Sequence, residues 1–349
     1  MKPEKIAVVL FNLGGPDGPD DVQPFLKNLF SDPAIIRAPT PVRWFVSRLI
    51  SKTRAASARE NYGLMGGGSP LLPETRKQAA ALDAELAKRG HTAKSFIAMR
   101  YWKPYAAEVV RDVKAWGADR VILLPLYPQF SSTTTASSLK SWTDAKGPEG
   151  VTICCYPDRD KFIAAHARMV IGAWEAAGKP ANVRCLLSAH GLPETVVEAG
   201  DPYQWQVELT ASRIRPLLPA EWEVEVCYQS RVGPLKWIGP ATDESIRKAA
   251  ADGKNILLSP VAFVSEHIET LVELDIEYRH LADELGVKNY LRAPALGIDA
   301  GFIETLADLV EDAVGDAAPD KIRSSCGGRI CPADRKDCPN RRTMANKAA

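Results

Sequence analysis

No run of about 18 apolar residues occurs anywhere in the 349-residue chain, so no membrane-spanning helix is expected. An excess of charge of either sign is also missing. The formal net charge is +1, which offers nucleic acid no electrostatic hold and argues against it as a partner. The opening MKPEKIAVVLFNLGG has a short apolar run, but it ends in a Gly-Gly-Pro turn and no A-x-A-like cleavage site follows. It reads as a first β-strand and not as a secretory signal, so a cytoplasmic chain is expected. Without such a signal, the seven cysteines do not suggest a disulfide framework. Three of them crowd into residues 326–338, which points to a metal site instead.

What is present is ordinary for a globular enzyme: 46% hydrophobic residues, 25% charged, and enough chain for two domains with full cores. Apolar runs alternate with amphipathic stretches. Strands are expected at Ile6–Leu13, Phe96–Tyr101, Val121–Tyr127, Val151–Tyr156, Val183–Ala189, Glu223–Gln229, Ile256–Val264 and Tyr290–Ala293. Helices are expected at Glu74–Arg89, from Pro104 to Gly117, from the strand at Val151–Tyr156 to about Gly178, and over Tyr203–Leu217 and Thr242–Ala251. Two more are expected at Ile268–Leu285 and Asp299–Val314. The strand runs are continuously apolar, so they should be parallel and covered on both faces. The two halves also resemble each other. NLGGP (Asn12–Pro16) and AHGLP (Ala189–Pro193) each follow an apolar strand, and VILLPLYPQFSS parallels NILLSPVAFVSE. The fold class expected is α/β: two doubly wound Rossmann-like domains with parallel sheets, facing across a cleft with the ligand at the C-terminal strand ends. The divisions are 1–160, 161–298, and a helix and cysteine-bearing tail over 299–349.

Residues 31–72 fit neither half. They hold no strand, many prolines and glycines, and apolar residues (Ile35, Ile36, Trp44, Phe45, Val46, Leu49, Ile50) interleaved with Arg37, Arg43, Arg48, Lys52 and Arg54. One reading is an ordinary helix packed on the core. The other is an apolar lip over a flat ligand, able to touch a membrane surface peripherally.

His190 ends the strand CLLSAHGLP. A lone histidine there is often a satisfied structural imidazole, but strand C-termini are where ligands bind in this architecture. Downstream, SEHIETLVELDIEY places Glu266, Glu269, Glu273 and Glu277 on one face of a helix, with Ile268, Leu271, Val272 and Ile276 on the other. Such a stripe is either a solvated face or a chain of oxygen ligands for a divalent metal or for protons. His267 stands at its start. Imidazole and carboxylate ligands suit Fe²⁺ and its neighbours, and the same groups are bases near neutral pH.

The segments FNLGGPD, GGGSPL, YPQFSSTTTASS, SAHGLP, GDPY, CYQSRVGPLKWIGPATDESI and NILLSPVAFVSEHIETLVELDIEY resemble ferrochelatases, in the right order from about residue 6 to residue 314. The resemblance implies an enzyme that inserts Fe²⁺ into protoporphyrin IX to give haem. It implies His190 and Glu269 as the catalytic and metal-contacting pair, with His267, Glu273, Asp275 and Glu277 continuing a path for metal or protons. It places Ile36, Arg100, Tyr101, Trp237 and Phe263 around the porphyrin. It also implies a site that favours a domed ring, whose nitrogen lone pairs are exposed. The chain departs from animal members near GGGSP. These carry arginines before the glycines where NYGLMGGG stands here, so no propionate contact is carried over.

Cys326, Cys331 and Cys338 follow as C-x4-C-x6-C. Soft thiolates so close favour a metal centre, with a zinc site or free thiols as alternatives. Some ferrochelatases hold a [2Fe–2S] cluster on three C-terminal cysteines and one earlier ligand, and the resemblance implies such a cofactor here. The fourth ligand is open: Cys155 is favoured, with Cys154 and His166 as alternatives. Competing functions are a chelatase for coproporphyrin or another tetrapyrrole, and a haem-binding protein without turnover. Monomer and homodimer both stay open.

Overall fold

The computed structural model describes residues 3–231, 233, 235–315 and 321–340. Residues 232 and 234 of the QSRVGPLKWIGP segment, and 316–320 and 341–349 of the C-terminal piece, lie outside the described residues.

The chain forms two compact units. The first comprises residues 1–127, 131–154 and 310–322; the second comprises 128–130, 155–309 and 323–349. The piece 299–349 is therefore no body of its own, because the contacts of its residues divide between the units.

In the first unit, β1 (Lys5–Asn12) is apolar along its length and almost wholly buried, as a strand covered on both faces must be. Helix α1 (Val22–Ser31) follows, then α2 (Thr40–Gly63) and α3 (Leu71–Lys88). Strand β2 (Thr92–Met99) leads to α4 (Ala106–Trp116), which Gly117 closes in the left-handed region (φ +69°). Then come β3 (Arg120–Pro125), α5 (Thr135–Asp144) and β4 (Val151–Ile153). The pairings β1–β2, β1–β3 and β3–β4 are all parallel, giving the order β2-β1-β3-β4, with a two-residue strand at Ile322–Arg323 as the fifth member beside β4. The two glycine motifs of this unit explain each other. Ser69 donates its N–H to the Pro16 carbonyl (2.8 Å), and a Cβ on Gly68 would stand 2.5 Å from the Asp17 carbonyl oxygen. The turn NLGGPD and the turn GGGSPL therefore lie backbone against backbone.

The second unit repeats the topology. Helix α6 (Asp160–Ala176) precedes β5 (Val183–His190), followed by α7 (Glu194–Glu198), α8 (Tyr203–Ile214), β6 (Glu223–Gln229), α9 (Thr242–Ala251) and β7 (Asn255–Pro260). A π-helix over Glu269–Glu277 runs into α10 (Tyr278–Glu284), then come β8 (Tyr290–Arg292) and α11 (Ala300–Val314). The sheet is again all parallel in its pairings, with order β6-β5-β7-β8. Both sheets thus reverse direction at their first strand, and the C-terminal end of that strand is the expected ligand position. In the second unit that end is His190.

Two expectations change. The helix expected over Ile268–Leu285 is a π-helix for half its length, with Tyr278 N–H donating to the carbonyl of Glu273 five residues back. Glu266 and His267 precede it and are not helical. On its inner side stand Thr270, Val272 and Leu274, whereas Ile276 is exposed. The second change is α5, which the polar stretch TASSLKSWTD did not announce.

Candidate active site

The end of β5 and the start of the π-helix meet in the second unit. His190 Nδ1 lies 2.9 Å from Glu269 Oε2. Ser230 Oγ also lies 3.4 Å from Glu269 Oε2. Glu273, one turn on, is held by four donors: Ser230 N–H (2.8 Å), Ser230 Oγ–H, Tyr278 O–H (3.0 Å) and the Gln229 amide (3.3 Å). Ser230 reaches both carboxylates because its backbone sits in the left-handed region (φ +63°), aiming N–H and hydroxyl the same way. Gln229 is fixed in turn by the Ser188 hydroxyl, which donates to its Oε1 (2.7 Å).

His267 is buried. Its Nδ1 lies 3.1 Å from the Ser265 carbonyl, which can only accept, so Nδ1 carries the proton. Its Nε2 lies 4.0 Å from Glu269 Oε1. Phe263 packs on the His267 ring (4.6 Å between centroids), and Trp237 stands edge-on to His190 at 6.5 Å.

Burial separates the acidities of these groups. Desolvation disfavours charge on all of them, but in Glu269 the His190 and His267 charges and the hydrogen bonds outweigh it, and the carboxyl falls to about 2. Desolvation also opposes a charged His190, yet the Glu269 charge and hydrogen bond win, and its pKa rises above the usual 6.5. Glu273 is raised by burial first and by the neighbouring Glu269 charge second. His267 is lowered by burial. Two adjacent carboxylates are thus pushed apart, one held as an anion and the other able to carry a proton.

Two members of the expected path are placed elsewhere. Asp275 accepts both Arg292 Nε (2.8 Å) and Arg292 Nη2 (2.5 Å), and Glu266 accepts Arg292 Nη1 (2.6 Å) and the Ala295 N–H (2.9 Å). Both are spent on one guanidinium of β8, so the carboxylate row runs Glu269, Glu273 and exposed Glu277 only. Arg292 lies far from the row in sequence, and nothing local announces it. Among the described residues, no three His, Cys, Asp or Glu side chains come together to hold a metal. A groove of about 620 Å³ between α6 and β8, lined by Arg168, Gly172 and Tyr290 among others, contains none of the site residues.

In the first unit, the lip residues form α2, and the outcome is an inverted helix. Its covered face carries Ser47, Ser51, Ala55 and Tyr62. Trp44, Phe45 and Leu49 face solvent at 57%, 61% and 51% exposure, with the Arg48 guanidinium stacked 3.6 Å over the Trp44 ring. An ordinary core-packing helix would show the reverse. Ile36 is half-buried at the entry to this helix. Arg100 and Tyr101, just past β2, converge on Asp32, which the sequence reading had not singled out. Tyr101 is only 1% exposed and donates its hydroxyl to Asp32 (2.8 Å), so it lies beneath any ligand surface rather than on it.

The tail docks on the second unit through GDPY. Gly200, at φ +114°, leaves no room for a side chain, since a Cβ would stand 2.8 Å from the Lys336 nitrogen; Asp337 N–H donates to the Gly200 carbonyl. Cys331 and Cys338 are buried and Cys326 is exposed. The Gln206 amide donates to Cys331 Sγ (3.1 Å), and a hydrogen bond from Cys331, with help from Arg329, brings the Cys338 thiol down to about 7 against its burial. Cys155 is buried. His166 lies in the core edge-on to Phe162 (4.7 Å), and desolvation lowers it to about 3.

The Ferrochelatase family matches residues 5–314. The chain belongs to the ferrochelatase family. It is 60% identical over 339 residues to the ferrochelatase of Hyphomonas neptunium, covering 96% of this chain and 94% of that one. To the ferrochelatase of Caulobacter vibrioides it is 59% identical, covering 97% and 98%. The Pelagibacter ubique ferrochelatase is 45% identical, with 96% and 98% covered. Among solved structures, SirB from Bacillus subtilis with Fe³⁺ superposes with a TM-score of 0.50 at 13% identity, covering 89% of this chain and 96% of that one. The sirohydrochlorin chelatase SirB from Bacillus subtilis subspecies spizizenii in complex with cobalt gives 0.51 at 10% identity over the same shares. These structural likenesses establish a shared chelatase fold. The enzyme inserts iron into a porphyrin, in haem biosynthesis. Among the described residues, no helix is long and apolar enough to cross a membrane.

Proposed function

We propose that the porphyrin is protoporphyrin IX and that the His190–Glu269 pair carries the insertion. The observation that supports the pair is the 2.9 Å contact between them at the switch point of the second sheet. Insertion replaces two pyrrole N–H protons by Fe²⁺, so two protons must leave while the metal sheds water. Neutral His190 accepts a pyrrole proton. Glu269, held as an anion, faces the imidazolium that forms and offers oxygen to the metal. Glu273, raised in pKa, receives a proton and passes it toward exposed Glu277. His267, its Nδ1 proton held by the Ser265 carbonyl, presents Nε2 toward Glu269 as a further acceptor on the proton path.

In the first unit, Ile36 and α2 supply an apolar surface for the macrocycle, and Arg100 donates hydrogen bonds at its edge. Trp237 and Phe263 supply aromatic surface beside His190 and His267. The domain roles follow: porphyrin lip in the first unit, metal chemistry in the second. Anaerobic mixing with Fe²⁺ and, separately, protoporphyrin IX and coproporphyrin tests the substrate. Faster loss of protoporphyrin absorbance is expected; preference for coproporphyrin refutes the choice, and binding without metallation points to a haem-binding protein.

The exposed face of α2 further supports peripheral contact with the inner face of a membrane, in an otherwise cytoplasmic protein. Each large apolar side chain contributes about 1.5–3 kcal/mol on leaving water. Replacing Trp44, Phe45 and Leu49 together by serine should weaken porphyrin or vesicle binding at least about tenfold. Because these side chains are exposed, the melting temperature should move by no more than about 2–4 °C. Calorimetry and vesicle sedimentation measure both; a large thermal loss with unchanged binding would restore the core-helix reading.

For the tail, the donor set fits a [2Fe–2S] cluster in its chemistry: the surroundings of Cys338 favour its thiolate, Cys331 accepts the Gln206 amide, and Cys326 is exposed nearby in sequence. Cys155 is the proposed fourth ligand; His166, locked neutral in the core, is the weaker alternative. When bound, such a cluster would tie the tail to the second unit. Anaerobically purified protein should be red-brown with about two irons and two sulfides per chain. Serine at Cys326, Cys331 or Cys338 should bleach it and lower thermal stability, because binding energy is partly folding energy. A colourless protein with one zinc would contradict the cluster alone.

A further inference from the structure

The buried carboxylate of Asp32 joins three parts of the first unit that the sequence holds far apart. It is 4% exposed. Oδ1 accepts the Ala34 N–H (2.8 Å), and the Asp32 carbonyl accepts from Ile35 (3.1 Å) and Ile36 (2.9 Å), so residues 32–36 form one tight turn at the end of α1. Oδ2 accepts from Arg100 Nη2 (2.7 Å), the Tyr101 hydroxyl (2.8 Å) and the Ser137 hydroxyl of α5. Ser137 Oγ in turn accepts from Arg100 Nε (2.6 Å). The guanidinium is therefore fixed along one edge, and 23% of the side chain stays exposed.

We propose that Asp32 is the positioning residue for porphyrin binding, acting through Arg100 and through the turn that sets Ile36. This rests on the assignment of Arg100 and Ile36 to the porphyrin. The two roles share one group: the carboxylate that aims the guanidinium also starts the lip. Since Asp32 already balances the Arg100 charge, Arg100 meets the ligand as an oriented hydrogen-bond donor within a neutral pair. Tyr101 serves from below, its only O–H given to Asp32. A carboxylate suits this point because it can accept from several donors at once, whereas an amide would turn one of its two polar atoms into a competing donor.

The test is a double-mutant cycle on the full chain, reading porphyrin affinity by fluorescence quenching together with KM for both substrates. Asp32→Asn should raise porphyrin Kd and KM about tenfold with iron KM unchanged within about twofold, a split that general destabilisation would not produce. In an Arg100→Gln background, Asp32→Asn should add less than about twofold, because the group it aims is gone while the amide oxygen can still accept the Ala34 N–H and keep the turn to Ile36. Full additivity of the two changes overturns the proposal. So does an unchanged porphyrin KM in Asp32→Asn while Arg100→Gln raises it, which leaves the porphyrin assignment standing; no effect from either change removes that assignment as well. Should Asp32→Asn fail to fold, Ser137→Ala keeps the ion pair and releases Arg100 Nε. It should raise porphyrin Kd about threefold at unchanged melting temperature, and an unchanged Kd refutes the positioning role.

Discussion

Replacing His190 by alanine should lower iron insertion by about 10²–10⁴-fold while the protein stays folded. The side chain sits at the open end of β5, 38% exposed and hydrogen-bonded to Glu269; it fills no core cavity. What is lost is a base that accepts a pyrrole proton. Stopped-flow absorbance with Fe²⁺ and porphyrin reads the rate, and circular dichroism reads the fold. Turnover near that of the parent enzyme would remove His190 from the chemistry.

Replacing Glu269 by glutamine should separate charge from shape. Porphyrin affinity should survive, and kcat should fall about 10²–10³-fold, as for loss of one preorganised electrostatic partner. A second readout follows from linkage. The charge of Glu269 raises His190 above 6.5, so the neutral, proton-accepting form predominates only above that raised value. The acidic limb of kcat/KM should therefore lie above pH 6.5 in the parent enzyme. In Glu269→Gln the larger raising influence is gone, only the Glu273 charge remains to oppose burial, and the His190 midpoint, followed by NMR, should move down. An unmoved or rising midpoint would show that the two side chains are not electrostatically paired.

Much of this architecture could be read from the chain because parallel strands covered on both faces are written as unbroken apolar runs. KIAVVLFN, VRCLLSAH and NILLSP each became the buried strand expected. His190 was legible for the same reason, since it ends such a run just before a glycine. The carboxylate row was only partly legible. The spacing of glutamates in ETLVELDIEY suits an α-helix, and nothing in an apolar period reports whether hydrogen bonds close at four residues or at five. Glu266 and Asp275 looked equivalent to their neighbours until Arg292, 26 and 17 residues on, was seen to occupy both. Helix α2 shows the limit of amphipathic reasoning. Its large apolar residues were visible, but the face turned inward is set by Ser47, Ser51 and Ala55, which allow close approach and carry little hydrophobic signal. Asp32 was hidden because its importance lies in donors from residues 100, 101 and 137. Helix α5 was hidden because its buried face is built from Thr135, Ser137 and Ser138 around a single Trp142.

The central claim is that iron meets this chain at His190 and Glu269. An anomalous difference map from crystals soaked anaerobically with Fe²⁺, recorded on both sides of the iron edge, tests it most directly. The account predicts a peak within bonding distance of the His190 imidazole and the Glu269 carboxylate, absent from crystals of Glu269→Gln. A peak at neither side chain, or one that persists unchanged in Glu269→Gln, would contradict it.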